Sequence, residues 1–249
     1  LVVLSSSVAL VMQIRLLQRG ASLFTLVALG SVIGLACLSK LSALGLIPLA
    51  GLTLALRFVT SQWPPRLQSI SNGRSTDGGG RQSLWSMLRR WARDYALVLL
   101  PVVAIAGWWY WRNWQLYGEP MGLNVMLAIA GRREIAPSWR DLLGEFQGFR
   151  INFWGLFGGV NILMRPGWVY PLLDILTLAA GIGLVIWAWR VWRPQRFAQW
   201  PALTVISAWI VIVFVALIRW TSSTMASQGR LIFPAISGIC LFFALGLLG

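Results

Sequence analysis

Apolar residues in this chain fall into blocks rather than alternating with polar ones. Seven blocks can be marked, at about 1–14, 21–38, 41–57, 94–111, 169–190, 201–219 and 231–249, separated by basic or aromatic-rich connectors. Most approach the roughly 20 residues that carry a helix across a bilayer core, and runs of this length exceed any buried strand. Only Ser39 and Lys40 part the second block from the third, so these form either a tight helical hairpin or one broken helix. The pattern predicts an all-α, polytopic integral membrane helix bundle with about six to seven transmembrane helices.

The connectors complete the layout. Residues 1–57 hold the first helices, 58–93 form a basic connector, and 94–249 hold the remaining helices with a long aromatic-rich loop at 112–168. Within 58–93, the low-complexity stretch Ser71 to Ser83 reads as a mobile tether. After it, Leu84, Trp85, Leu88 and Trp91 share one helical stripe beside Arg89, Arg90 and Arg93, which suits either an interfacial helix or an extension of the next span. In 112–168, Ser138 is placed to cap a helix, with Asp141 in its first turn and Leu142, Phe146 and Phe149 as an apolar stripe. That loop is expected to be structured and to pack on the outer membrane face.

Composition sharpens this picture. With 57% hydrophobic and 11% charged residues, the chain lacks the polar surface of a soluble domain. Lys and Arg number 21 against 7 Asp and Glu, an excess that on a folded soluble domain would suggest nucleic acid. Here the charges lie in connectors, where they encode orientation, so no nucleic-acid partner is expected. Twelve basic residues fall on one side, from Arg15, Arg19, the seven arginines between Arg57 and Arg93, and Arg190, Arg193 and Arg196. Nine fall on the other, together with Glu119, Glu134, Asp141 and Glu145, so the first side is assigned to the cytoplasm. The expected location is the plasma or inner membrane. Histidine is absent, and Cys37 and Cys240 lie in separate apolar blocks, so no metal site or disulfide is expected.

Chemistry has few places to reside. Lys40, Arg112 and Arg230 stand at the outer ends of spans, where a cation is costly unless it meets an anion such as a lipid phosphate. Snorkelling to headgroups or anchoring a helix end would explain each of them as well. Asp174, near the outer end of the fifth block, reads as an interfacial carboxylate or a partner for an external arginine rather than a catalytic acid.

Four stretches carry a resemblance. Gly34 to Leu44 (GLACLSKLSAL), followed by Ile47-Pro48, resembles the "GLALLTKYSAL…P" segment of bacterial GT-C glycosyltransferases, the superfamily of protein mannosyltransferases and lipid A aminoarabinose transferases. Gly107 to Gly118 (GWWYWRNWQLYG), Asn152 to Asn161 (NFWGLFGGVN) and Gln228 to Ala235 (QGRLIFPA) follow in the family's order, the last being similar to "QGRYLFPA" with Leu231 in place of tyrosine. The resemblance implies a transferase taking a sugar from a polyprenyl-phosphate donor on the external face, with no certain cofactor. It makes Lys40, Arg230 and Arg112 lipid-phosphate-binding candidates and Trp154, Asn152 and Tyr117 candidates for the donor or acceptor cleft. The family's catalytic acid, on a first external loop, has no counterpart here and is expected upstream, making this the C-terminal portion. The alternatives are a non-catalytic membrane subunit or scaffold and, with fewer supporting features, a transporter.

The arginine asymmetry generates a direct test. Single cysteines at Ser75 and Gly131 in a cysteine-free background are expected to react with a membrane-impermeant reagent from opposite sides, Gly131 from outside. Labelling of both from one side would overturn the span count.

Overall fold

A computed structural model of the chain describes residues 1–61, 84–158, 161–191, 199–224 and 228–248. The tether Ser71 to Ser83, with Arg74 and Ser75, lies outside the described residues, as do Arg193, Arg196 and Gly159. The described chain is overwhelmingly helical: α1 (Val2–Arg19), α2 (Leu23–Ser39), α3 (Leu46–Ser61), α4 (Leu84–Tyr117), α5 (Leu123–Ala130), α6 (Trp139–Gly144), α7 (Phe146–Gly155), α8 (Val169–Val191), α9 (Trp200–Ser223) and α10 (Ile236–Leu248). Among the described residues six helical stretches are long and apolar enough to cross a membrane, and α2 is a shorter apolar helix of 17 residues. The expectation of helices alone misses one element, an antiparallel ribbon pairing β1 (Leu156–Phe157) with β2 (Ile162–Leu163). Its turn includes Gly158 at φ 63°, a conformation that costs glycine least.

The chain divides into two compact units, residues 3–108 with 199–205, and 109–198 with 206–249. In the first, Ser22 and Thr25 form a capping box that starts α2. The helix ends at Lys40, whose backbone is extended, and a 3-10 turn at Leu41–Gly45 leads into α3. Because Arg57 of α3 reaches back over Gly20 ahead of α2, blocks two and three form a hairpin rather than a broken helix. Helix α4 starts at Leu84, so residues 84–93 are the first turns of a continuous helix rather than a separate interfacial one. The cause is local: the indole N–H of Trp91 donates to the Gly51 carbonyl at 3.0 Å, Trp91 stacks on Tyr95, and buried Asp94 pairs with Arg57 and Arg93.

Close backbone approach sets the packing. A Cβ on Gly30 would run into the Val98 carbonyl, and one on Gly34 would lie 3.0 Å from Ile105 Cβ, so the Gly30–Gly34 stripe lets α2 lie directly on α4. Pro101 sits inside α4 beside Gly30. In the second unit the same device joins α8 to α10: a Cβ on Gly183 would meet the Gly246 carbonyl, and one on Gly246 the Ala180 carbonyl. Lipid tails are as apolar as leucine, so helices meeting in such a solvent gain mainly from tight contact between small residues. Outward faces match that solvent, with Leu178, Ile182, Val185 and Trp189 of α8 all exposed.

Residues 138–155 fold nearly as the sequence predicts. The Ser138 hydroxyl and backbone N–H both donate to Asp141 Oδ2, at 2.8 and 2.7 Å, and start α6. Only Glu145 separates α6 from α7, and Phe146, Phe149 and Phe153 stack along the latter.

Two outcomes follow. Gly246→Leu should drive α10 off α8 and lower stability by about 1–3 kcal/mol, whereas Gly181→Ala, with open space around it, should leave the melting temperature in detergent unchanged. Equal effects would remove the packing argument. The Ser138 hydroxyl and then its N–H hold the Asp141 carboxyl below its ordinary range. Its pKa is depressed by folding, so the cap contributes above the unfolded value and is lost as pH falls through the folded one. Amide protection in α6, taken relative to the intrinsic exchange rate at each pH, should therefore fall in acid, and Asp141→Asn should abolish that dependence.

Candidate functional site

The residues singled out in Asn152–Asn161 and Gln228–Ala235 come together in the second unit. After Gln228, the 3-10 turn Gly229–Ala235 leads into α10 and lies directly on α7. Gly229 is required there, because a Cβ would collide with the Phe149 carbonyl and sit 2.6 Å from the Phe153 nitrogen. Buried Asn152 holds the turn, its Oδ1 accepting the Arg230 backbone N–H at 3.0 Å. Further along, the indole N–H of fully buried Trp209 donates to the Pro234 carbonyl at 3.0 Å, and Phe233 meets Phe153 edge to face. Left unpaired, a buried amide or carbonyl costs about 1–3 kcal/mol, so these bonds fix the turn's position.

Arg230 is thus fixed at its backbone and exposed at its side chain. Its Nε donates to Gln228 Oε1 at 2.9 Å. Among the described residues neither terminal nitrogen of the guanidinium has a hydrogen-bond partner or a carboxylate within 4 Å. A guanidinium oriented through Nε, with both terminal amino groups still available, matches the fork that grips two oxygens of a phosphate.

Beside this turn runs an open cleft of about 1120 Å³ between α7, α8, α9 and α10. Its walls are Phe149, Phe153, Trp154, Phe214, Ile232, Ile236, Ile239 and Phe243, with Arg150 and Asp174 among the few polar groups. Arg150 and Asp174 form an ion pair, each side chain about three-tenths exposed, so of the two readings of Asp174 the structure shows the arginine's partner. The pair neutralises itself, so the cleft offers an apolar wall with an uncharged polar edge. Trp154 lines it; Asn152 and Arg230 do not, acting instead on the turn whose Ile232 does.

The other candidates sit on other elements. Arg112 on α4 stacks over Trp109 at 5.3 Å, and Tyr117 is the exposed last residue of that helix. Lys40 belongs to the first unit, half-buried where α2 gives way to the 3-10 turn. No group of three or more acidic, cysteine or histidine side chains that could hold a metal occurs among the described residues.

Sequence reasoning missed a clasp. Arg133 Nε donates to the carbonyls of Thr221 and Thr224, both at 2.9 Å, its guanidinium pairs with Glu145, and Arg132 bridges to Thr224. A cation on the last carbonyls of α9 suits the negative end of the helix. The signal was present in Arg132-Arg133-Glu134, but such a run reads equally as solvated charge. No family model matches the chain, and neither any curated protein nor any solved structure matches it.

Proposed function

We propose that the chain is an integral protein of the plasma or inner membrane, crossing it six or seven times, and that it belongs to a GT-C-type glycosyltransferase. In this reading it takes a sugar from a polyprenyl-phosphate donor on the external face and passes it to an acceptor. What carries the reading is the meeting of two stretches picked out by resemblance: Asn152 of NFWGLFGGVN binds the backbone of Arg230 in QGRLIFPA. The adjoining apolar cleft of about 1120 Å³, with Trp154 among its lining residues, supports it as a place for an apolar isoprenoid chain.

The chemistry asked of these groups is modest. An acceptor hydroxyl attacks the anomeric carbon, the bond from that carbon to the phosphate oxygen breaks, and negative charge grows on the departing phosphate. Arg230 would meet that charge with its terminal N–H groups, already oriented through Gln228, so little reorganisation is needed as the charge develops. Trp154 is retained as a cleft residue and Asn152 as the residue that holds the turn beside it. No residue of this chain is assigned as the base. In a scaffold the same turn would serve assembly alone.

Polyprenyl-phosphate binding by the purified protein separates the two. A charge-assisted contact is worth about 1.5–3 kcal/mol, so Arg230→Ala should weaken binding by about one to two orders of magnitude. Arg230→Lys should recover part of the loss, and exposed Arg140→Ala should have no effect. Binding by Arg230→Ala equal to that of wild type would favour the scaffold.

A further inference from the structure

A second concentration of positive charge lies in the first unit, at the end of the α2–α3 hairpin remote from Lys40. There the α1–α2 turn and the last turns of α3 enclose a cleft of about 460 Å³ lined by Arg19, Gly20, Ala21, Ser22, Thr25 and Arg57. Arg19 occupies the last turn of α1 and is exposed. Gly20 follows at φ 89°, and a Cβ there would lie 3.6 Å from Arg57 Nη2, so the Arg57 guanidinium overhangs the turn and faces the same space as Arg19.

The local carboxylate does not balance this charge. Asp94, its side chain 5% exposed, accepts two hydrogen bonds from Arg93, from Nε at 3.0 Å and from Nη2 at 2.8 Å. Arg57 reaches Asp94 only at 3.6 Å, without a hydrogen bond. Among the described residues, Arg19, Arg57 and Arg93 against one Asp94 leave two positive charges, and two guanidinium groups facing one cleft repel each other unless an anion enters. Of the hydroxyls, that of Thr25 is committed to the Ser22 carbonyl at 2.8 Å. The Ser22 hydroxyl, 3.1 Å from Thr25 Oγ1, can turn its proton to an incoming oxygen. The start of α2 adds its partial positive charge.

We propose that this cleft binds a phosphate group, that of an anionic phospholipid headgroup on the face that the basic connectors assign to the cytoplasm. The proposal rests on the membrane reading above. The cleft sits at the ends of two stretches long and apolar enough to cross a bilayer, the depth at which headgroup phosphates occur, and basic recesses between helices on that face select anionic headgroups. Arg19 and Arg57 grip the phosphate oxygens, and Ser22 donates a further hydrogen bond. Such a lipid would clip the α1–α2 turn to the end of α3.

The test uses the full chain in neutral detergent, titrated with short-chain phosphatidylglycerol, phosphatidylcholine and inorganic phosphate, with bound lipid read by native mass spectrometry and melting temperature alongside. Phosphatidylglycerol should bind and raise the melting temperature in preference to phosphatidylcholine. Arg19→Gln, which breaks no ion pair among the described residues, should weaken binding about five- to tenfold. Arg57→Lys, which keeps the charge and so protects Asp94, should weaken it less than Arg57→Gln. Protection by phosphatidylglycerol alone identifies the headgroup as the ligand, whereas protection by inorganic phosphate too identifies the phosphate group as sufficient; either supports the site. Equal binding of the two lipids, or no loss in Arg19→Gln, overturns it. Release of wild-type protein from membranes by an alkaline wash would instead overturn the membrane reading itself.

Discussion

Helices whose whole exterior is apolar gain little by burying one side rather than another, so their arrangement depends on where backbones can touch. In each unit that contact is made by glycine: Gly30 and Gly34 against α4, Gly183 and Gly246 between α8 and α10. Dispersion falls off steeply with distance, so an extra methyl group at these points removes contact along a whole helix face. The apolar cleft exists because α8 and α10 are pinned together through these small residues, while Phe214, Phe243 and the α7 rings stand around the opening. Polar bonds then fix what close packing leaves undetermined. Gln13 and Thr53 meet inside the first unit, and Trp209 and Asn152 hold the turn in the second.

Much of this fold was legible because hydropathy blocks and caps are local signals. Ser138 and Asp141 announced α6, and Ser39-Lys40 marked the reversal between α2 and α3. Helix α1 reaches Arg19 rather than stopping at 14, because charged and amide side chains near a helix end project into polar surroundings while the backbone continues. Residues 84–93 were ambiguous for a related reason: a Trp and Arg stripe looks the same whether it lies on a headgroup layer or packs on Gly51, and only the partner decides. The ribbon at 156–163 was invisible, since two-residue strands have no period to detect.

The candidate site divides similarly. Arg230 and Asn152 stand out through motifs, and the sequence leaves Asp174 as either an interfacial carboxylate or an arginine's partner. Arg150 could not be chosen from the other arginines, because a separation of 24 residues carries no periodicity. The Arg133 clasp was hidden for the same reason, its acceptors on α9 lying 88 and 91 residues away. Long-range pairing of one arginine among many is decided by the fold rather than by spacing.

That clasp also constrains how the second unit can move. Arg133 holds two carbonyls at the end of α9, and through Glu145 it holds the junction from which α7 departs with Phe149, Phe153 and Trp154. A tilt of α9 therefore drags one rim of the cleft with it. The cleft's width becomes geared to a helix whose other end lies about 36 Å away along its own axis, at 1.5 Å per residue over 24 residues.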